Sequence, residues 1–407
     1  MDAPWRARFN VAYRPALFAA YRADLEQRIG APVGFRLAET PVFLPDAFRR
    51  RTLVAAREIL AQLSDPARLE HMRAAVPARW KAPHVTALPT FAVLDFAAVR
   101  DDDGEIAPRL VELQGFPSLL AFETMQSDAW EAALQRVDGL GGAWTGRFAP
   151  GDRAAFLALA HDVIVGDHDP RSVVLMDLDP PAQKTYCDFA ATRRLFGVDA
   201  VAPQELIKRG RRLYRRGPDG RELPVERIYN RTIVDEIERT GASLPFDYRD
   251  DLDVEWAPHP DWFFIWSKHS LPYLDHPAVP STRFVRDVER LPDDLAERCV
   301  LKPLFSFAGG GVNVRPTPAD VAAIPAAHGG AWCLQDKIAY APVIAMPEGG
   351  AAKVEIRMMF VRRDHDAEFT PTINLCRLTR GEMVGVDYNR DAPWTGSSIG
   401  LWREGEG

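Results

Sequence analysis

Cysteine is scarce. Cys187, Cys299, Cys333 and Cys376 lie far apart and show no C-x-x-C spacing. A secreted disulfide framework is excluded on that basis, and the four read as reduced thiols of a cytoplasmic protein. Long apolar runs are lacking, and Arg6, Arg8, Arg14 and Arg22 break up any signal-like stretch. Neither a membrane span nor an export signal is expected. A basic excess is lacking too. The 50 Lys and Arg residues face 57 Asp and Glu, a formal net charge of −7, which argues against a nucleic-acid partner. No H-E-x-x-H occurs. His259, His269 and His276 are scattered among aromatics and prolines and read as structural or exposed. Gly396–Gly400 fits G-x-S-x-G, but a hydrolase of that kind needs its Asp and His after the serine. The last histidine, His365, comes before it.

What is present is ordinary in bulk: 407 residues, 47% hydrophobic and 26% charged. That length exceeds one small core and implies two or three packed sub-domains of a soluble protein. One stretch stands out, Cys299 to Arg315. A short strand leads to Lys302, and three consecutive glycines follow, Gly309, Gly310 and Gly311. Glycines let backbone N–H groups approach phosphate oxygens, and a lysine adds point charge. The pattern is neither the Walker loop nor the spaced dinucleotide fingerprint. A β-hairpin with a glycine tip is the plain alternative.

A second stretch carries acid. Thr90 to Val99 and Arg109 to Gln114 read as strands around Asp101-Asp102-Asp103-Gly104. A two-residue turn at Asp103-Gly104 would place Asp95 directly across from Glu112, with Gln114 on the same face. Opposed carboxylates about 5 Å apart repel one another. A divalent cation such as Mg²⁺, shared with substrate phosphates, would compensate Asp95, Glu112 and Gln114. The alternative is a solvated acidic hairpin.

The remaining chain divides in order. Residues 1–88 read as a helical segment, with Asp46 as a helix cap and Val54, Ile59, Leu60 and Leu63 mostly on one side. The 89–165 portion holds the hairpin and helices over Pro117–Val137 and Asp152–Ile164. The 166–265 portion alternates strands (Val173–Met176, Val198–Val201, Arg227–Asn230) with a helix over Ala182–Phe196, an α/β unit with a mainly parallel sheet. The 266–345 portion holds Lys268, Lys302, the glycines and a strand ending at Gln335-Asp336-Lys337-Ile338. In the 346–407 portion, Lys353 to Val361 alternates so that Glu355 and Arg357 share a polar face, followed by strands over Pro371–Leu378 and Met383–Tyr388.

The series Lys268, Lys302 with its glycines, Gln335 to Ile338, then Glu355 and Arg357, resembles an ATP-grasp ligase. The acidic hairpin lies upstream of these motifs, an order similar to the circularly permuted ATP-grasp enzymes of the glutathionylspermidine synthetase type. Their magnesium motif runs roughly Glu-x-Asn-x-Asp-Thr-Pro-Thr-x-Leu-x-Glu. Here the matching stretch runs from Glu112 through Gln114, Pro117, Ser118 and Leu120 to Glu123, with Gln114 for the asparagine and Gly115-Phe116 for Asp-Thr. The tail from Arg390 to Ser398 is loosely similar to that family's closing segment. The resemblance implies an α/β (α+β) ATP-grasp fold, circularly permuted, with a Rossmann-like pre-ATP-grasp unit and a helical N-terminal segment. It implies ATP and Mg²⁺, with Lys268, Lys302, Gly309, Gly310 and Gly311 at the phosphates and Gln335, Asp336, Lys337, Ile338 and Glu355 around the nucleotide. Asp95, Glu112 and Gln114 would hold the metal, and either Arg357 or Arg390 the charge on an acyl phosphate. The implied reaction joins a small carboxylate to an amine, drawn from amino acids, polyamines or peptides. A homodimer is left open. A non-catalytic nucleotide binder or a phosphotransferase on the same fold are the competing readings.

Overall fold

A computed structural model describes residues 1–305, 310–381 and 392–403. The chain begins with helices α1 (Ala3–Ala12), α2 (Pro15–Ile29), α3 (Asp46–Leu63) and α4 (Pro66–Arg73). Asp65 caps α4 by accepting from the Arg68 N–H at 3.0 Å. At α3 the cap position falls to Pro45; Asp46 sits in the first turn instead, paired with Arg49 and Arg50. Of the apolar positions read from the α3 sequence, Ile59, Leu60 and Leu63 are buried, while Val54 is exposed.

Strands β1 (Phe91–Arg100) and β2 (Ile106–Gln114) form an antiparallel hairpin. Helix α5 (Leu120–Leu134) starts three residues later than Pro117, because Leu119 turns the chain through a left-handed conformation with φ 64°. Asp152 caps α6 (Arg153–Ile164), accepting from the Ala155 N–H at 2.9 Å. Then come β3 (Val173–Met176), α7 (Tyr186–Phe196), β4 (Asp199–Val201), β5 (Arg227–Asn230), α8 (Val234–Thr240) and β6 (Glu255–Ala257). These four strands are parallel, in the order β6-β5-β3-β4. The full burial of β3 and β5 fits strands covered on both faces. Helix α7 begins at Tyr186 because Pro180–Ala182 forms a separate short turn, and it stops at left-handed Gly197.

The aromatic run before Lys268 is a buried one-turn helix, Trp262–Ile265. Strands β7 (Thr282–Phe284), β8 (Cys299–Pro303) and β9 (Trp332–Asp336) make a small antiparallel sheet with β9 in the middle. The chain then returns with β10 (Pro342–Ala345), β11 (Ala351–Val361), β12 (Thr370–Thr379) and β13 (Gly396–Ser398). The central sheet has the order β13-β12-β11-β1-β2, with β10 on β11. It is thus built from two pieces of chain, the front hairpin and the strands after residue 341. One face buries Leu94, Phe96, Ile356, Met358 and Cys376 against α3. On the other, Val93, Ile373 and Leu375 join Phe122, Met125 and Trp130 of α5. Among the described residues no helix is long and apolar enough to cross a membrane.

Candidate active site

The β1–β2 hairpin brings Asp95 and Glu112 into register as opposed residues, with Gln114 opposite Val93 on the same face. It does so by a different route from a two-residue turn. Residues 101–105 form the loop, closed by the Asp101 N–H donating to Glu105 O, and near the loop the register is one residue short. A β-bulge restores it: Phe96 faces Leu110 and Asp95 faces Glu112, so Val111 is the extra residue.

That bulge matters because its carbonyl receives a lysine. Lys302, near the end of β8, donates from Nζ to Val111 O at 3.2 Å and to Gln335 Oε1 at 2.5 Å. Gln335 also donates from Nε2 to Thr282 Oγ1 at 3.3 Å, which fixes its amide. Alternation along β8 and β9 turns Lys302, Cys333 and Gln335 to one face and Cys299, Leu301 and Leu334 to the other. Burial pushes the Lys302 ammonium below its usual value, partly offset by Glu112. Lys268, itself buried, lies with Nζ 3.5 Å from Glu112 Oε1. Lys268 and the acidic ribbon therefore meet at one narrow crevice, walled by Phe116, Phe263, Leu304 and Phe305, and Lys302 reaches the same ribbon through Val111 O.

Next to it runs a lattice of guanidinium and carboxylate groups on the central sheet. Arg357, directly across from Asp95, grips it with two hydrogen bonds, Nε to Oδ1 at 2.8 Å and Nη2 to Oδ2 at 2.7 Å. Its Nη1 donates to Ser118 Oγ at 3.0 Å. Arg377 donates to Asp95 Oδ2 at 2.6 Å and also to Glu355, its partner across β11 and β12. Tyr340 donates to the other Glu355 oxygen at 2.7 Å. Burial alone would raise the Asp95 carboxyl. The two guanidiniums outweigh it and hold Asp95 below the usual carboxylate range. Asp95, expected among the metal ligands, thus has its charge compensated by Arg357 and Arg377. With Lys268, Lys302, Arg357 and Arg377 set against Asp95, Glu112 and Glu355, the cluster carries one positive charge in excess, which suits an anionic ligand.

Glu112 and Gln114 remain as oxygen donors for a metal. Gln114 Nε2 is buried with no hydrogen-bond partner. A flip of that amide would present its oxygen to the same place. The pair therefore fits a divalent cation shared with phosphates, whereas Asp95 has both oxygens engaged. Among the described residues no group of three or more His, Cys, Asp and Glu is arranged to hold a metal.

Other expected site residues are distributed differently. Asp336 faces away from the lysines, 3.9 Å from Arg298, into a cavity of about 780 Å³ on the opposite face of the small sheet. The Lys337 ammonium donates to Ala296 O at 2.9 Å. Ile338 packs beside Ala97, Val99 and Tyr340. Gly310 is exposed. Gly311 has φ 72°, and the chain then returns to pair Asn313 with Leu301, as a hairpin would. Gly309 and Arg390 lie outside the described residues, as does the Met383–Tyr388 stretch. His259 and His276 are tied to Pro83 O and Glu58, and His269 stacks on Phe305.

Sequence reading passed over Arg377 and Tyr340, and noted Ser118 only as part of a motif. It noted Glu123 only as the end of a motif. Glu123 is fully buried, and neither carboxyl oxygen has a hydrogen-bond partner. Burial pushes it well above the usual carboxylate range despite Arg357, and Asp188 and Asp95 add to the rise.

No protein-family model and no curated protein matches this chain in sequence. A solved structure does match in shape: a glutathione synthetase-like effector from Globodera pallida, in its apo form, at a TM-score of 0.57. The match covers 97% of this chain and 98% of that one, at 12% identity. The fold is glutathione synthetase-like. Nearly complete coverage of both chains means that the likeness takes in the helical front, the parallel sheet and the central sheet together. At such low identity it speaks of architecture alone.

Proposed function

We propose that this protein is an ATP-dependent carboxylate–amine ligase. In this reading β1 and β2, which precede the lysine-bearing sheet yet belong to the sheet completed after it, are the permuted half of an ATP-grasp core. The parallel sheet is its Rossmann-like companion unit. The observation that carries the reading is the convergence of Glu112, Lys268, Lys302 and Gln335 from four separate parts of the chain.

The chemistry follows from charge. A substrate carboxylate oxygen attacks the γ-phosphorus of ATP, the bond to ADP breaks, and an acyl phosphate forms. An amine then attacks the acyl carbon, and phosphate leaves. Both reactants of the first step are anions, so their approach needs screening. Lys268 and Lys302 supply it. Lys302 is parked on the Val111 carbonyl and Gln335, and a triphosphate oxygen would replace the carbonyl. Magnesium, when bound, would neutralise phosphate charge, with Glu112 and Gln114 as its protein ligands. Arg357 and Arg377 are balanced by Asp95 and Glu355, so the excess positive charge is that of the two lysines against Glu112. ADP release, screened over pairs of amino acids, peptides and polyamines, is the test. No ADP above background with any pair would refute the reading.

One observation favours a non-catalytic nucleotide binder instead. Asp95 is locked between two arginines, which leaves a single carboxylate, Glu112, for the metal. Nucleotide binding without ADP release would select this alternative.

A further inference from the structure

Three side chains stand in a row on one face of the small sheet, one from each strand. Thr282 on β7 lies directly across from Gln335 on β9. Lys302 on β8 is diagonal to Gln335, two residues beyond Val300, its direct partner. All three are buried.

Hydrogen bonds run along this row in one direction only. The Thr282 hydroxyl donates to Pro280 O at 2.9 Å. A hydroxyl has one proton to give, so towards Gln335 the Thr282 oxygen is an acceptor. It accepts from Gln335 Nε2 at 3.3 Å. At the other end the Lys302 ammonium, which can only donate, meets Gln335 Oε1 at 2.5 Å. Both neighbours therefore demand the same orientation of the amide. Turned over, it would set its N–H groups against the ammonium and its oxygen against a hydroxyl whose proton is already spent.

We infer that Thr282 is a positioning residue for the phosphate-binding lysine: its hydroxyl, committed to Pro280, sets which end of the Gln335 amide faces Lys302. Its part in turnover rests on the ligase reading. There a phosphate oxygen takes the place of Val111 O on the ammonium. Gln335 Oε1 is then the protein acceptor that keeps Lys302 in place, and Thr282 keeps that acceptor turned towards it. Thr282 acts through Gln335 and not on the nucleotide. A group that must meet developing charge works best when its supports are fixed beforehand.

The test compares Thr282→Val, which keeps the branched shape and loses the hydroxyl, with Thr282→Ser, which keeps the hydroxyl and loses the methyl. Two quantities are measured. One is affinity for the non-hydrolysable ATP analogue AMP-PNP with magnesium, by isothermal titration with no second substrate. The other is ADP release with a substrate pair that the wild type turns over. Thr282→Val should weaken both about tenfold, the scale of one buried hydrogen bond. Thr282→Ser should stay close to wild type. A side chain that serves packing alone gives the reverse order, because serine leaves a methyl-sized gap that valine fills. That order, or wild-type values in Thr282→Val, would overturn the inference. Should Thr282→Val fail to fold, Thr282→Ala against Thr282→Ser makes the same comparison. The two readings fail separately. AMP-PNP affinity that follows the hydroxyl, with no ADP from any substrate pair, would sink the ligase and keep Thr282 in this role. Wild-type ADP release with both quantities unchanged in Thr282→Val would do the reverse. No AMP-PNP binding by the wild type would overturn both.

Discussion

Lys302 donates a hydrogen bond to the carbonyl of Val111, a residue 191 positions earlier that is the extra member of a β-bulge. A regular hairpin would spend that carbonyl within the ladder. The bulge leaves it for the ammonium and brings Glu112 beside both lysines. We expect Lys302→Ala and Glu112→Ala each to lower ADP release by about 100-fold or more, the scale seen when one preorganised electrostatic group is lost. Far-UV circular dichroism should be unchanged. Wild-type ADP release by either folded variant would show that the crevice is not the reacting site.

Asp95 is held by three charged hydrogen bonds from Arg357 and Arg377 and is almost fully buried. Removing it leaves two buried guanidiniums that repel each other. Breaking a buried pair from one side costs about 3–5 kcal/mol, so Asp95→Ala should lose that much in urea unfolding. Asp95→Asn should lose less, and neither should alter the magnesium dependence of ADP release. A stable Asp95→Asn protein that needed more magnesium would return Asp95 to the metal.

Much of this site was legible in the sequence, and the reasons differ by element. The shared face of Glu355 and Arg357 follows from period-two alternation, whereas the Asp95–Glu112 pairing, expected from a two-residue turn at Asp103-Gly104, holds only because the longer 101–105 loop and the bulge at Val111 offset one another. The approach of Lys302 to Glu112 was signalled only by the order of the motifs. Arg377 was out of reach because its register with Glu355 depends on where the chain turns between β11 and β12, which no Asn-Gly or Asp-Gly marks. Asp336 and Lys337 were read as nucleotide contacts because they follow Gln335. Alternation alone already turned Asp336 away. Buried runs such as Val173–Met176 announced parallel strands, but the order β6-β5-β3-β4 depends on crossovers that leave no local trace.

Asp177 follows β3 and is almost fully buried; burial, against the pull of Arg231, pushes its carboxyl up to about 7. Its folded pKa therefore lies above its unfolded one, so the native state binds the extra proton. Stability from this group is fully present below about pH 4 and declines as pH rises towards 7, by at most about 1.4 kcal/mol per pH unit. Ion-paired carboxylates such as Asp95 tilt the opposite way, so the effect is read as a difference. Asp177→Asn should gain on wild type between pH 5 and pH 7 in thermal midpoint. A constant difference across that range would show that Asp177 is ionised throughout.

Gly115 occupies a place where the family resembled carries a motif residue with a side chain. A Cβ there would lie 3.0 Å from Trp266 Cβ and 3.1 Å from Trp262 O, and the Gly115 N–H donates to Trp266 O at 2.8 Å. The strand end is thus pressed onto the buried Trp262–Ile265 helix, which leads directly into Lys268. Phe116, the next departure, fills the Phe263 and Phe264 cluster. Both substitutions therefore serve packing between the acidic ribbon and the lysine. Gly115→Ala should destabilise by about 1–3 kcal/mol through overpacking, and Gly115→Asp by more, since it also buries a charge. Neither should raise ADP release. If Gly115→Asp were as stable as wild type, the close approach to Trp262 and Trp266 would be wrong, and with it the route by which Lys268 reaches Glu112.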